Sequence, residues 1–236
     1  MTVFKEKTLR NRKKSGEVVI NLTDVSKKYI ITHDKPTLIE DVNRILRFEK
    51  KEEYWALENV NLKIHKGEKI GLFGANGAGK TTLLKIIARI SSPTSGKVQT
   101  KGRIISLIDL AAGFHPDLTG QENIFLNGLV IGMSREEIRD KFNQIIDFAG
   151  IGDFVTAPLY TYSNGMKLRL GFSIAIHAKP NILLLDEVMS MGDRDFQEKS
   201  RQVMKKMFNN DVTLILVSHF VDHLKKYCNR LIEISK

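Results

Sequence analysis

Gly74-Ala75-Asn76-Gly77-Ala78-Gly79-Lys80-Thr81-Thr82 is the stretch of this chain whose residue types and spacing most plainly imply chemistry. Its two outer glycines stand five residues apart and let the backbone turn, so that successive N–H groups face one point. The positive end of a helix macrodipole at that point favours an anion. The pattern therefore suits nucleotide phosphates, with Lys80 reaching the β and γ phosphates, the Thr81 hydroxyl offered to Mg²⁺ and Thr82 adding a further phosphate contact. A glycine turn that only packs would need neither the lysine nor the hydroxyls.

Asp186-Glu187 ends the apolar run Ile182-Leu183-Leu184-Leu185, so both acids fall at the end of a buried strand. In a magnesium–ATP site the first carboxylate holds the ion, directly or through water, and Glu187 polarises the attacking water. Ser218-His219 follows another apolar strand, Leu214 to Val217, which puts His219 on the same sheet edge, within reach of the γ phosphate. A histidine after a strand is more often structural; its position downstream of Glu187 favours a role in the site. Glu187, His219 and Lys80 are the expected catalytic set.

The elements that must carry these groups read as an α/β chain. Val18 to Leu22 and the alternating Val60 to Ile64 are strands, Lys66-Gly67 is a turn, and Lys69 to Phe73 is a strand leading into the glycine loop. Leu83, Leu84, Ile86, Ile87 and Ile90 recur at helical spacing until Ser92-Pro93-Thr94-Ser95-Gly96. Thr37-Leu38-Ile39-Glu40 has the spacing of a capping box and opens an amphipathic helix over about 37–48. Ser134-Arg135-Glu136-Glu137 opens another, making the middle of the chain helical, and Val212 to Val217 returns to strand.

The 236 residues, 42% hydrophobic, suffice for one globular domain, and no apolar run approaches the ~20 residues of a spanning helix. Residues 1–16 read as a basic tail without a signal-peptide core, so a cytosolic location is expected. Cys228 excludes an internal disulfide and reads as a structural thiol. The formal charge of +10 fits nucleic acid, an anionic membrane or an anionic substrate equally well.

With Tyr162-Ser163-Asn164-Gly165-Met166 standing before the Asp186-Glu187 strand, the chain over about 17–236 resembles the ATP-binding-cassette (ABC) ATPases. Members more often carry Leu-Ser-Gly-Gly-Gln there, so Ser163 and Gly165 match while Asn164 and Met166 depart. The resemblance implies a P-loop NTPase fold with a RecA-like core, an antiparallel β subdomain and a helical subdomain over about 112–175. It implies ATP and Mg²⁺ as cofactors, and two copies of the chain in which Ser163 and Gly165 contact the γ phosphate bound to the other copy. Asp193 ends the loop that couples the two sites, and Tyr29 matches the aromatic that stacks on adenine, with Tyr54, Trp55 or a merely packed tyrosine as alternatives. Where most members carry a glutamine that contacts Mg²⁺, this chain offers Asp109.

The run from Asp109 to Asn123 and the helix before Trp55 look like those of ATPase subunits that serve polysaccharide exporters of the O-antigen, capsule or teichoic acid type. That branch implies a membrane-spanning permease as partner, a lipid-linked polysaccharide moved through it, and a peripheral position on the cytoplasmic face of the inner membrane. Arg44, Arg47, Lys50 and Lys51 would then face lipid phosphates. Some such ATPases carry a further C-terminal carbohydrate-binding domain, and this sequence stops at Lys236, soon after its last strand. The alternative is a soluble ABC ATPase acting on nucleic acid or ribosomes; the coiled-coil insertions, tandem cassettes or zinc modules usual in such proteins do not occur here.

Overall fold

The computed structural model describes residues 2–9, 16–31, 52–108, 110, 113–186, 193–209 and 211–235. Six strands form the main sheet: β1 (Val3–Thr8), β4 (Lys69–Phe73), β6 (Ile104–Ser106), β7 (Ile182–Asp186), β8 (Thr213–Val217) and β9 (Arg230–Ser235). Their order is β1-β9-β4-β8-β7-β6, parallel throughout except that β1 runs antiparallel to β9. A second, antiparallel sheet consists of β2 (Val18–Ile31), β3 (Glu52–His65) and β5 (Ser95–Thr100), in the order β3-β2-β5.

The apolar runs of β7 and β8 are explained by burial on both faces, as a covered parallel sheet requires. Side chains alternate across a strand, and these sort accordingly. Ile182, Leu184, Ile215 and Val217 join the core under the antiparallel sheet, together with Leu83, Leu84 and Ile87 of α1 (Lys80–Ile87). Leu183, Leu185, Leu214 and Leu216 join the core beneath the helices.

Those helices are α2 (Gly120–Val130), α3 (Arg135–Ala149) and α4 (Asn164–His177), followed later by α5 (Arg194–Asn209) and α6 (Val221–Tyr227). The predicted capping box at Ser134 and Glu137 is present, and Thr119 with Glu122 forms another at the start of α2. Asn123 is fully buried; it accepts from His115 N–H at 2.8 Å and faces the carbonyls of His115, Leu118 and Thr119, fixing the segment before α2. The expected α/β fold, with a separate antiparallel sheet and a helical part, is what the chain adopts.

The basic N-terminal segment differs from a tail, because Val3–Thr8 pairs with β9 along its length. Phe4 packs against the core, Glu6 meets Arg230 at 2.5 Å, and the Thr2 hydroxyl accepts from Glu58 N–H at 2.9 Å. Lys5 and Lys7 stay exposed on this outer strand, a placement that discourages further pairing at an edge. Cys228 caps the C-terminal end of α6, and burial pushes its thiol up to about 12, which leaves it protonated and inert. The helix expected over about 37–48, and the cations near its end, lie outside the described residues.

Candidate nucleotide site

Three neighbouring parallel strands bring the expected residues to one edge. β4 runs into the glycine loop, β7 ends on Asp186, and β8 leads to Ser218-His219; Val217 stands opposite both Leu72 and Asp186. A ligand crevice lies at the carboxyl ends of such strands as a rule. Here a cavity of about 510 Å³ opens there, lined by Asn76, Gly77, Gly79, Lys80, Thr81 and Thr82 with Asp186, His219 and both Tyr29 and Tyr54.

The loop's geometry needs its glycines at two points. Gly74 has φ +144° and Gly79 has φ +100°; a Cβ would stand 2.2 Å from the Ile234 carbonyl at the first and 2.5 Å from the Ala56 carbonyl at the second. Gly74, Ala75 and Ala78 build the turn without lining the cavity. The capping residues of α2, α3 and α4 accept hydrogen bonds through their side chains, whereas α1 starts at Gly79 with no side-chain cap and no acid in its first turn. Its leading N–H groups thus lack the side-chain acceptors that the other three have, and an anion can take that place.

Lys80 is 7% exposed, and its ammonium donates to the carbonyls of Gly74 at 2.8 Å and Ala75 at 2.9 Å, inside the curve of the loop. The Thr81 hydroxyl donates to Asp186 Oδ2 at 2.9 Å. A hydroxyl and a carboxylate that close together suit Mg²⁺, which takes one or two protein oxygens and fills its shell with phosphate oxygens and water.

Tyr29 and Tyr54 are register partners on β2 and β3, so the pairing that makes the antiparallel sheet also places two aromatic rings at the cavity. The Tyr54 hydroxyl donates to Gly77 O at 2.9 Å, tying that sheet to the loop. Trp55 does not line the cavity; its ring lies under Lys28, with Nζ 5.4 Å from the centroid. Asp109 and Glu187 lie outside the described residues.

Ser163 and Gly165 are absent from the cavity's lining. Ser163 is exposed at the N-terminus of α4, its hydroxyl accepting from Met166 N–H at 3.2 Å. Arg169 on the same helix meets Asp193 at 3.2 Å. Asp193 accepts from Phe196 N–H at 2.9 Å, and this hydrogen bond, reinforced by Arg169, holds its carboxyl below the usual range. The sequence reading missed Arg169, because a lone arginine in a helix carries no local signal.

A family described as ABC transporter matches residues 57–190. The chain belongs to the ABC transporter family. The O-antigen export system ATP-binding protein RfbB of Klebsiella pneumoniae is 40% identical over 218 residues, covering 91% of this chain and 89% of its own length. The teichoic acids export ATP-binding protein TagH of Lactococcus lactis is 42% identical over 180 residues, and the aligned part is 76% of this chain but 38% of that protein. Among solved structures, a dimeric ATP-binding cassette in a post-hydrolysis state, bound to ADP and Pi, superposes with a TM-score of 0.65. It is 25% identical, and the match covers 92% of this chain and 94% of that one. As an ABC transporter ATP-binding subunit, the chain is an ATPase.

Proposed function

We propose that this ABC ATPase powers the export of a lipid-linked polysaccharide, working as a pair of copies beneath a membrane-spanning permease at the cytoplasmic face of the inner membrane. The observation that carries the paired arrangement is the separation of two donor sets: Lys80, Thr81, Asp186 and His219 border the cavity, while Ser163 and Gly165 do not. A second copy supplies the missing donors, as the dimeric cassette neighbours support. Export of a polysaccharide is supported by the relatives named for O-antigen and teichoic acid export. No helix among the described residues is long and apolar enough to cross a membrane.

In this reading the loop N–H groups and Lys80 bind the β and γ phosphates, and Lys80 turns from the Gly74 and Ala75 carbonyls to do so. Thr81 and Asp186 would hold Mg²⁺, whose positive charge would offset the negative charge of the phosphate oxygens. Glu187 orients or deprotonates the attacking water, and His219 donates to the γ phosphate. Tyr29 presents its ring to adenine while Tyr54 steadies the loop through Gly77. Asp193 links α4, through Arg169, to the start of α5.

Glu187→Gln tests the hydrolytic half: the purified variant should keep ATP affinity and form a lasting dimer with ATP while turnover falls at least about 100-fold. Unchanged turnover would remove Glu187 from the role. For the cargo, cells relying on Asp186→Asn should accumulate lipid-linked polysaccharide on the inner membrane. Normal surface polysaccharide in those cells would overturn the export reading.

A further inference from the structure

Arg103 joins the two parts of the chain that ATP closure has to keep in register. Its backbone leads into β6 and is tied to the start of β7: its N–H donates to Asn181 Oδ1 at 2.7 Å, and its carbonyl accepts from the N–H groups of Asn181 at 2.9 Å and Ile182 at 3.1 Å. Its guanidinium leaves the sheet and enters the helical part. There Nη2 donates to Gly132 O at 2.6 Å and Glu137 Oε2 at 2.9 Å, while Nη1 donates to Ala178 O. These acceptors are the α2–α3 turn, the first turn of α3 and the C-terminal cap of α4. Only the planar fork of arginine reaches three such points at once.

Ala178 is the far end of the helix that Ser163 begins. With 14 residues at ~1.5 Å rise, α4 is about 21 Å long, so a tilt of about 3° around Ala178 moves Ser163 by about 1 Å. A misplacement of that size at a reacting group costs roughly 100-fold in rate. The hydrogen bond from Arg103 also holds the Glu137 carboxyl below its ordinary range, so the pair stays charged near neutral pH.

We infer that Arg103 is a positioning residue for ATP turnover: it fixes the end of α4, and thereby the attitude of Ser163 and Gly165, against the sheet that carries the phosphate loop and Asp186. The inference rests on the reading that Ser163 and Gly165 act on the nucleotide of the partner copy. It assigns Arg103 no contact with ATP. Two measurements therefore separate: binding of a fluorescent ATP analogue by the single chain, and closure of two chains over ATP.

Arg103→Met should leave analogue affinity within about twofold, yet lower kcat by about 10- to 100-fold. In the Glu187→Gln background it should also weaken ATP-driven dimerisation, read by light scattering, about tenfold or more. Glu137→Gln is the gentler variant, because glutamine preserves the capping box while removing the charge. It should fold, with a modest loss of stability near neutral pH, and lower kcat roughly threefold to tenfold. A folded Arg103→Met with parental kcat and dimerisation would overturn the proposal, as would a Glu137→Gln protein of parental kcat if Arg103→Met does not fold. Ser163→Ala distinguishes the underlying reading: if it leaves turnover and dimerisation intact, the partner-site reading fails. If Ser163→Ala abolishes both and Arg103→Met neither, only the positioning role fails.

Discussion

Thr81 Oγ1 and Asp186 Oδ2 lie 2.9 Å apart, joining the first turn of the phosphate-loop helix to the end of β7 across 105 residues of sequence. Asp186→Asn keeps an acceptor for that hydroxyl but removes the negative charge a divalent ion requires. Turnover should fall by about 100-fold or more, the scale of a lost electrostatic stabiliser, while the melting temperature stays close to that of the parent. Chelation of the parent with EDTA should reproduce the loss. A variant that melts far lower with residual turnover intact would make the contact a structural one.

Two glycines with left-handed backbones should respond differently to alanine. At Gly79 a Cβ would stand 2.5 Å from the Ala56 carbonyl, whereas at Gly150, φ +62°, nothing lies within 4 Å. Gly150→Ala should cost about 1–2 kcal/mol, the strain of a left-handed alanine alone. Gly79→Ala adds a backbone clash and should cost roughly 1–3 kcal/mol more, with loss of ATP binding. Urea unfolding of both variants, set beside ATP titration, checks the order.

The two cavity tyrosines should divide between base and loop. Tyr54→Phe removes the bond to Gly77 O and should raise KM for ATP by about two- to tenfold with kcat nearly unchanged, the range of one neutral hydrogen bond. Tyr29→Ala, which deletes a stacking surface, should raise KM by roughly 5- to 150-fold, corresponding to ~1–3 kcal/mol per stacked base. A larger effect for Tyr54→Ala than for Tyr29→Ala would assign the adenine to Tyr54.

Acid should loosen the Arg103 latch. The Glu137 carboxyl is lowered from its ordinary 4.5, first by the Arg103 hydrogen bond and next by Ser134 N–H. A depressed carboxylate adds stability that is fully present above its unfolded value and lost as pH falls through its folded one. The parent should therefore unfold at higher urea than Glu137→Gln at about pH 6, and that gap should close as the pH falls below 4.5. A gap that persists unchanged into acid would show that charge does not hold the contact.

The phosphate loop and the strands beside it were legible because their chemistry demands contiguous residues. Gly74 to Thr82 must stand in that order, and buried parallel strands must read as apolar runs. The capping box at Ser134 was equally local. The strand at Val3–Thr8 was not, because an edge strand with Lys5, Glu6 and Lys7 lacks the alternation that marks a half-buried one, and its partner β9 is remote. Tyr54 was an alternative whose contact with Gly77 depends on the β2–β3 register. Arg103 escaped for a similar reason: its acceptors at Gly132, Glu137 and Ala178 are 29, 34 and 75 residues away, and no pattern in the sequence links them.

The pairing of Val3 with Ser235 closes a loop of roughly 230 residues, which a ribosome adding ~5–20 residues per second needs about ten to fifty seconds to produce. For that interval β1 has no sheet to join, and β4 lacks both neighbours, since β8 and β9 are made late. The antiparallel sheet, complete by residue 100, is the part able to form early. During synthesis, then, β4 lacks both of its sheet neighbours until β8 and β9 have emerged, and through that interval its apolar residues are the ones most open to aggregation.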